Sequence, residues 1–326
     1  MKTKLISLGM VIGVVMAVQA TDYVMLNPLD TAFLPTIPLK DYGGDKARNA
    51  LENDALWHAS DQSLDMETFS SDELHKVAKK LYRTTHRHYV TFPVAYWSKM
   101  PQGDSLLVSG RVYLPKERKL NGIIISNHFI TTSDEDVPSY MLAMESVFTM
   151  KGYAVIMPDY VGYGLSIGER QPDLDWHNAV QTAVDMLDNM SALLNYYGYS
   201  YPADVVVTGY SQGGAVALGV SRMLEEQGGA WSVRMLYVGI DPYNATGTYL
   251  YSVDNEEQGE SVAIPLIITT LSDEYGLKFW LEDFFLEPLL SIYDEWIVAT
   301  EYTDEQNKEL MASSMPFVKY VYQDLR

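Results

Sequence analysis

The sequence contains no cysteine in its 326 residues, and this absence excludes several kinds of chemistry together. Without a thiol there is no disulfide, no cysteine nucleophile and no thiolate ligand for a metal ion. Positive charge is also scarce, because 23 lysines and arginines face 43 aspartates and glutamates, which gives a formal net charge of -20. Nucleic acids and anionic membrane surfaces repel such a chain, so we expect neither as a partner.

A long hydrophobic run is present at the N-terminus, in MKTKLISLGMVIGVVMAVQA. Two lysines precede an apolar stretch of roughly 14 residues, and Val18 and Ala20 are small residues at the -3 and -1 positions of a signal-peptidase site. This pattern predicts a signal peptide over residues 1–20, a cut after Ala20, and a secreted or periplasmic protein. Because the run is short for a membrane span, we expect no stable membrane insertion after cleavage; the alternative is an uncleaved anchor.

Three regions follow the signal in the predicted organisation. Residues 21–80 form an N-terminal extension, in which residues 22–44 are rich in proline and glycine and are expected to run extended over the surface. Ser70 and Glu73 have the spacing of a capping box and predict one helix. Residues 81–245 form the core. Residues 246–326 are predicted to hold a cap or lid and an incomplete C-terminal part of the core, with a peripheral helix pair as the alternative to the cap.

Strand and helix patterns alternate within the predicted core. Apolar alternation on both sides of Pro101 to Asp104 predicts an antiparallel β-hairpin. The apolar strands GIIISNHF, YAVIMP, ADVVV and SVRMLYVGI then alternate with amphipathic segments of helical periodicity. Such a pattern is typical of an α/β fold, and it predicts a mostly parallel sheet that carries helices on both faces.

The segment GYSQGG, residues 209–214, lies between the predicted strand ADVVV and the predicted helix AVALGVSRMLEE. A Gly-x-Ser-x-Gly pattern between a strand and a helix predicts a sharp turn that exposes the serine, here Ser211. Gly209 and Gly213 fit this turn because it brings backbone segments too close together for a Cβ atom. The N–H of Gln212 is expected at the start of the helix, where it can stabilise an oxyanion. The sequence therefore predicts Ser211 as a nucleophile.

A second oxyanion donor is expected from the loop SNHFITTSDEDVPS, which follows the first parallel strand. The backbone N–H of Phe129 is the candidate, because it lies where the strand ends. His128 beside it has two interpretations, a catalytic base or a ring that packs behind the loop, and we favour packing.

Four segments together resemble the α/β-hydrolase superfamily, in its secretory lipase and esterase branch. They span residues 89–242 and include SLLVSGRVYLP, IIISNHFITTSDEDVPS, GYAVIMPDYVGYG and VTGYSQGGAVAL. The resemblance implies hydrolysis of carboxylic esters through an acyl-enzyme on Ser211, a small-molecule or lipid ester as substrate, and no metal or organic cofactor. Relatives usually have glycine where this chain has Phe129, whose side chain can crowd the oxyanion.

The family's catalytic order of serine, acid and histidine is only partly matched. Asp273 is the candidate acid, and Asp241 is a second one. No residue matches the family's histidine, since all six precede Ser211, at His58, His75, His86, His88, His128 and His177. The competing hypothesis is therefore a catalytically impaired or truncated protein of this fold, which binds an apolar ligand or partner.

Two further histidine positions have alternative interpretations. His177 begins a predicted helix and either reaches Ser211 by an unusual route or lies on the surface, which we favour. His86 and His88 share one side of a strand at i, i+2 spacing, which fits a metal pair or a solvated strand edge. We favour the solvated edge because no third ligand is evident.

Overall fold

The computed structural model describes residues 23–26, 40–42, 89–100, 103–131, 137–140, 145–169, 176–239, 287 and 289–293. The strands are β1 (Val24–Met25), β2 (Lys40–Tyr42), β3 (Tyr89–Lys99), β4 (Ser105–Pro115), β5 (Gly122–Asn127), β6 (Tyr153–Pro158), β7 (Asp204–Tyr210) and β8 (Ser232–Gly239). The helices are α1 (Ser146–Met150), α2 (Trp176–Tyr196), α3 (Gln212–Gln227) and α4 (Leu289–Tyr293), with a 3-10 turn at Gly164–Ser166. No helix within these ranges is sufficiently long and apolar to span a membrane.

The eight described strands form one sheet in the order β1-β3-β4-β6-β5-β7-β8, and β2 also pairs with β3. Strands β3 and β4 form the expected antiparallel hairpin, which closes at the pair Lys99 and Ser105. Strand β4 is antiparallel to β6, whereas β6, β5, β7 and β8 run parallel to one another. The predicted fold class, a mostly parallel sheet with an antiparallel hairpin before it, is confirmed.

Two short pieces of the N-terminal extension join this same sheet. β1 pairs in parallel with β3 through Val24 and Val94, and β2 pairs antiparallel with β3 through Tyr42 and Tyr89. Leu26, directly after β1, is fully buried in the main apolar core. The expectation of a segment that only crosses the surface is therefore wrong for these pieces, because the open side of β3 offers backbone partners and a place to bury Leu26.

Alternate residues of β5 face two separate apolar clusters. Ile123 and Ile125 belong to the cluster that includes the buried faces of α2 and α3. Ile124 points to the opposite side of the sheet, where it packs with Val147 and Met150 of α1. Helices therefore cover both faces of β5, which explains why its sequence is continuously apolar rather than alternating.

The strand that leads to Ser211 is paired on both sides. β7 lies between β5 and β8, with Asn127 opposite Gly209 and Tyr210 opposite Gly239. Because these three strands are parallel, the loops that follow them leave from the same edge of the sheet. This is the edge where ligands bind in open α/β sheets.

Candidate active site

Ser211 forms a sharp turn between β7 and α3, with φ 53° and ψ -125°. A positive φ is uncommon for a residue with a side chain, and Tyr160 is the one other non-glycine example in the described part of the chain. The Ser211 N–H donates to the Gly239 carbonyl at 3.0 Å, and the Gly214 N–H donates to the Ser211 carbonyl at 2.8 Å. Strain that neighbouring hydrogen bonds hold in place is typical of functional turns.

Gly209 and Gly213 leave no room for a side chain. A Cβ atom on Gly209 would overlap the carbonyl oxygen of Gly213, and one on Gly213 would overlap the carbonyl oxygen of Asn127. The turn at Ser211 therefore requires glycine on both sides, as the sequence pattern predicts. The second contact also brings the start of α3 against the end of β5, where the loop with Phe129 begins.

The Ser211 side chain is half-buried and does not cap α3. Within the described residues, no side chain forms a hydrogen bond with its hydroxyl. Gln212 is the first residue of α3, so its N–H lies at the N-terminus of the helix, where partial positive charge gathers. This arrangement can hold a negatively charged oxygen next to the serine, and the oxyanion role of Gln212 stays a prediction.

The His128 ring packs among aromatic rings and carbonyl oxygens. It stacks on Tyr160 with ring centroids 4.1 Å apart and meets Tyr163 edge-on at 6.1 Å. Its Nδ1 lies 2.6 Å from the Phe129 carbonyl oxygen, and its Nε2 lies 3.2 Å from that of Asp159. Burial lowers the pKa of His128 from 6.5 to about 4, against the opposite effect of these two carbonyls. The neutral ring has one N–H, so it can donate to one of these two carbonyl oxygens at a time.

Two tyrosines fasten the loop that carries Phe129. The Tyr160 hydroxyl donates to the His128 carbonyl at 3.3 Å, and the Tyr163 hydroxyl donates to the Thr131 carbonyl. Both tyrosines come from the segment PDYVGYG after β6. The sequence pattern predicted a glycine-rich turn here, but it carried no signal that the tyrosine rings would support the neighbouring loop.

A buried polar network lies beneath these loops. The Asp159 carboxylate, which is fully buried, accepts the Ser109 hydroxyl at 2.6 Å and the Ser139 N–H at 2.8 Å. The buried Arg111 guanidinium donates to the carbonyl oxygens of Pro138 and Ser139. Charged groups away from water are tolerated when such donors and acceptors satisfy them. The network therefore ties the turn at 137–140 to β4 and to the end of β6.

A cavity of about 420 Å³ opens at the same edge of the sheet. It is lined by the ends of β5, β7 and β8 and by the loop after β5, through residues that include Asn127, His128, Phe129, Thr131, Gly209, Tyr210, Tyr237 and Gly239. Ser126 donates its hydroxyl to the Glu145 carboxyl group at 3.1 Å and gives the cavity a polar wall. Its volume suits a small organic ligand.

The structure brings together Ser211, Gln212 and the loop that contains His128 and Phe129. His177 is exposed at the start of α2. The remaining predicted positions lie outside the described residues, and these are Asp241, Asp273, His58, His75, His86 and His88. Within the ranges that the structure describes, no group of three His, Asp or Glu side chains is arranged to hold a metal ion. The general base and the acid are therefore unassigned.

Comparisons with known proteins match this architecture. The model of the dienelactone hydrolase family matches residues 108–232. A candidate hydrolase from Legionella pneumophila is similar with a TM-score of 0.66 and 20% identity, over 84% of this chain and 69% of its own. The rice cell wall degrading esterase LipA from Xanthomonas oryzae is similar with a TM-score of 0.64 and 17% identity, over 76% of this chain and 70% of its own. A search of curated proteins found no match.

The chain has the α/β-hydrolase fold. In an α/β-hydrolase the nucleophile lies on a strand-to-helix turn, and one oxyanion donor comes from the loop after an earlier strand. The turn between β7 and α3 is a strand-to-helix turn, and the loop after β5 begins beside it. The catalytic roles of both stay predictions. The superfamily resemblance that the sequence motifs indicated is thus confirmed at the level of the fold.

Proposed function

We propose that this protein is a serine hydrolase that cleaves carboxylic esters through an acyl-enzyme on Ser211. The observation that carries the proposal is the turn at Ser211, with φ 53°, which the close approaches at Gly209 and Gly213 enforce. Such backbone strain costs about 1–3 kcal/mol and persists where the surroundings determine it. In return, the turn holds a hydroxyl beside the N-terminus of α3.

The proposed reaction has two steps. A general base takes the proton from the Ser211 hydroxyl while Oγ attacks the ester carbonyl carbon, and the N–H groups of Gln212 and Phe129 stabilise the resulting oxyanion. The bond between the carbonyl carbon and the alcohol oxygen breaks, and the alcohol leaves with the proton. Water then attacks the carbonyl carbon of the acyl-enzyme while the base takes one of its protons. The bond from this carbon to Ser211 Oγ breaks, the base returns the proton to Oγ, and the carboxylic acid product leaves. We propose Asp273 as the acid that orients the base.

The proposed reaction needs a general base, and neither histidine in the described part of the chain is suited to this role. His128 is unsuited to it at pH 7, because its ring nitrogens face carbonyl oxygens and burial lowers its pKa to about 4. His177 is exposed at the start of α2. The proposal therefore requires a proton acceptor other than His128.

The substrate is proposed to be a small ester. The cavity of about 420 Å³ lies at the ends of β5, β7 and β8, and its lining includes Tyr210, which directly precedes Ser211 in the chain. It has apolar walls that include Met157 and Pro138. These walls suit an apolar acyl or alcohol group, whereas the Ser126 and Glu145 pair can accept a polar one. The similar structure from Xanthomonas oryzae is that of an esterase, which supports an ester as the proposed substrate class.

A second candidate function is ligand binding without turnover. It is favoured by the engagement of His128 with backbone carbonyls, because a ring held in this way is unsuited to act as the base. Loss of the triad histidine lowers kcat by about 10⁶ in a well-studied serine protease, so the difference from an active enzyme is measurable. In this case the cavity would bind an apolar ligand that the protein does not change.

Cleavage of p-nitrophenyl esters and labelling by a fluorophosphonate distinguish the two functions. We expect the protein to hydrolyse a short-chain ester and to take the label on Ser211, as located by peptide mass spectrometry. Ser211→Ala should lose both, and Ser191→Ala, which removes a half-buried serine of α2 outside the cavity lining, should keep both. Wild type that shows no turnover and no label, yet binds a fluorescent apolar probe as well as Ser211→Ala does, would favour the binding function.

Export is a further part of the proposal. The two lysines, the apolar run and the small residues before Thr21 support a signal peptide that is removed after Ala20. Expression of the full sequence in a bacterial host, followed by N-terminal sequencing of the exported protein, should find Thr21 first. An unprocessed N-terminus on membranes would instead support an uncleaved anchor.

A further inference from the structure

We propose that the Tyr160 hydroxyl and the His128 ring orient the peptide unit between His128 and Phe129, and so direct the Phe129 N–H toward the oxyanion. This inference rests on the proposed function, because it concerns one of its two predicted oxyanion donors. It makes Tyr160 a positioning residue, since its own atoms need not touch the substrate.

The carbonyl of His128 and the N–H of Phe129 belong to the same planar unit, and in a trans peptide they point in opposite directions. The Tyr160 hydroxyl donates to this carbonyl at 3.3 Å. A hydrogen bond that fixes the direction of the carbonyl therefore also fixes the direction of the N–H.

The same carbonyl lies against the turn that carries the nucleophile. A Cβ atom on Gly213 would lie 2.6 Å from the His128 oxygen, so this peptide unit is packed against the first turn of α3. Rotation of the unit would exchange the positions of its oxygen and its N–H. An oxygen that faced the oxyanion would repel it, so the orientation of this one peptide decides the sign of the interaction.

The His128 ring holds the next peptide unit. Its Nδ1 lies 2.6 Å from the Phe129 carbonyl oxygen, and its ring stacks on Tyr160 with centroids 4.1 Å apart. Both peptide units that flank the Phe129 Cα are thus restrained by the same pair of side chains.

The backbone of Tyr160 is itself held in an uncommon conformation. Its φ is 69°, which is unfavourable for a tyrosine. The preceding residue, Asp159, is fixed by the hydrogen bonds of its buried carboxylate to Ser109 and Ser139. The buried network therefore determines where the Tyr160 ring and hydroxyl lie, and the strain at Tyr160 is maintained for that placement.

Tyr160→Phe tests this positioning role, because it keeps the ring, the stack on His128 and the backbone strain but removes the hydroxyl. We expect kcat for a p-nitrophenyl ester to fall about tenfold and KM to change by less than about twofold. This loss of kcat is smaller than the 10²–10³-fold loss that follows removal of an oxyanion donor itself. Tyr199→Phe is the matched control. The Tyr199 hydroxyl donates to the Pro115 carbonyl at a distance of 2.6 Å, and this hydrogen bond lies away from the site. The control variant should lower the melting temperature and leave kcat unchanged.

A second measurement does not depend on turnover. The chain has 9 phenylalanines, so selective ¹⁵N labelling gives few amide resonances, and Phe129→Leu identifies the relevant one. Tyr160→Phe should move the Phe129 amide resonance, and Tyr199→Phe should not. An unmoved Phe129 resonance, an unchanged kcat in an active Tyr160→Phe enzyme, or an equal loss of kcat in both variants would overturn the inference. Wild type without ester turnover would refute the hydrolase proposal, whereas the amide resonance would still show whether Tyr160 orients the peptide.

Discussion

Lowering the pH from 7.5 to 5 is expected to reduce the free energy of unfolding by about 2 kcal/mol through His128. The cause is the burial of its ring, which stacks on Tyr160, because a positive charge there is poorly solvated. The carbonyl oxygens of Phe129 and Asp159 offset part of this effect. Burial lowers the pKa of His128 in the folded protein from 6.5 to about 4. In the unfolded chain the ring is in water and keeps its ordinary pKa.

The direction of the effect follows from proton binding. Between pH 4 and pH 6.5 the unfolded state binds a proton on His128 that the folded state does not, so stability falls as the pH falls. The contribution of His128 to the free energy of unfolding is complete above pH 6.5, where the ring is neutral in both states. Because one pKa unit corresponds to about 1.36 kcal/mol, the loss from this residue approaches about 3 kcal/mol at pH 4.

Urea unfolding followed by tryptophan fluorescence at pH 5 and pH 7.5 measures this contribution. The comparison variant is His128→Asn, which cannot titrate in this range and keeps a side-chain N–H for the Phe129 carbonyl. The variant is expected to be less stable at both pH values because it loses the stack on Tyr160, so only the change with pH is compared. If wild type and His128→Asn lose equal stability between the two pH values, the ring is solvated in the folded protein and the reasoning is refuted.

The turn at Ser211 supports two further predictions. Gly213→Ala should abolish ester turnover and destabilise the protein by about 1–3 kcal/mol, because its Cβ overlaps the Asn127 carbonyl. Gly229→Ala is the control, because the space around Gly229 is open. Activity assays and urea unfolding should find turnover and stability unchanged in this control. A fully active Gly213→Ala would contradict the close approach of α3 to β5. Ser211→Gly should be more stable in urea than Ser211→Ala by about 1 kcal/mol, because glycine adopts φ 53° without strain. Equal stability of these two inactive variants would show that the turn carries no strain.

Local patterns in the sequence predicted most of the core. The β3 and β4 hairpin follows from apolar alternation around Gly103, and the turn at Ser211 follows from the glycines at positions 209 and 213. Each of these features depends on residues close together in the chain. The pairing of Val24 and Met25 with β3 does not, because any strand with an open side offers the same backbone groups.

Contacts between distant segments explain what the sequence did not reveal at the site. The stack of His128 on Tyr160 and the hydrogen bond between them join loops after β5 and β6, and neither loop has a pattern that identifies the other. The sequence could predict that the His128 ring packs behind the loop without identifying the residue it packs against. The support from Tyr160 could not be predicted in this way, because it depends on that partner. Asp273 and Asp241 lie outside the described residues, so the choice of acid stays a prediction.

The position of β6 between β4 and β5 has a consequence for the order in which this protein matures. Strand β5 meets β7 only after the chain has completed β6 and α2, and only then does Asn127 come opposite Gly209. We expect pairing between such distant segments to form late in folding, because closing the long loop between them costs conformational entropy. A newly made or partly opened chain therefore carries Ser211 without the neighbouring loop, and we expect its reactivity toward esters to arise only when the sheet closes.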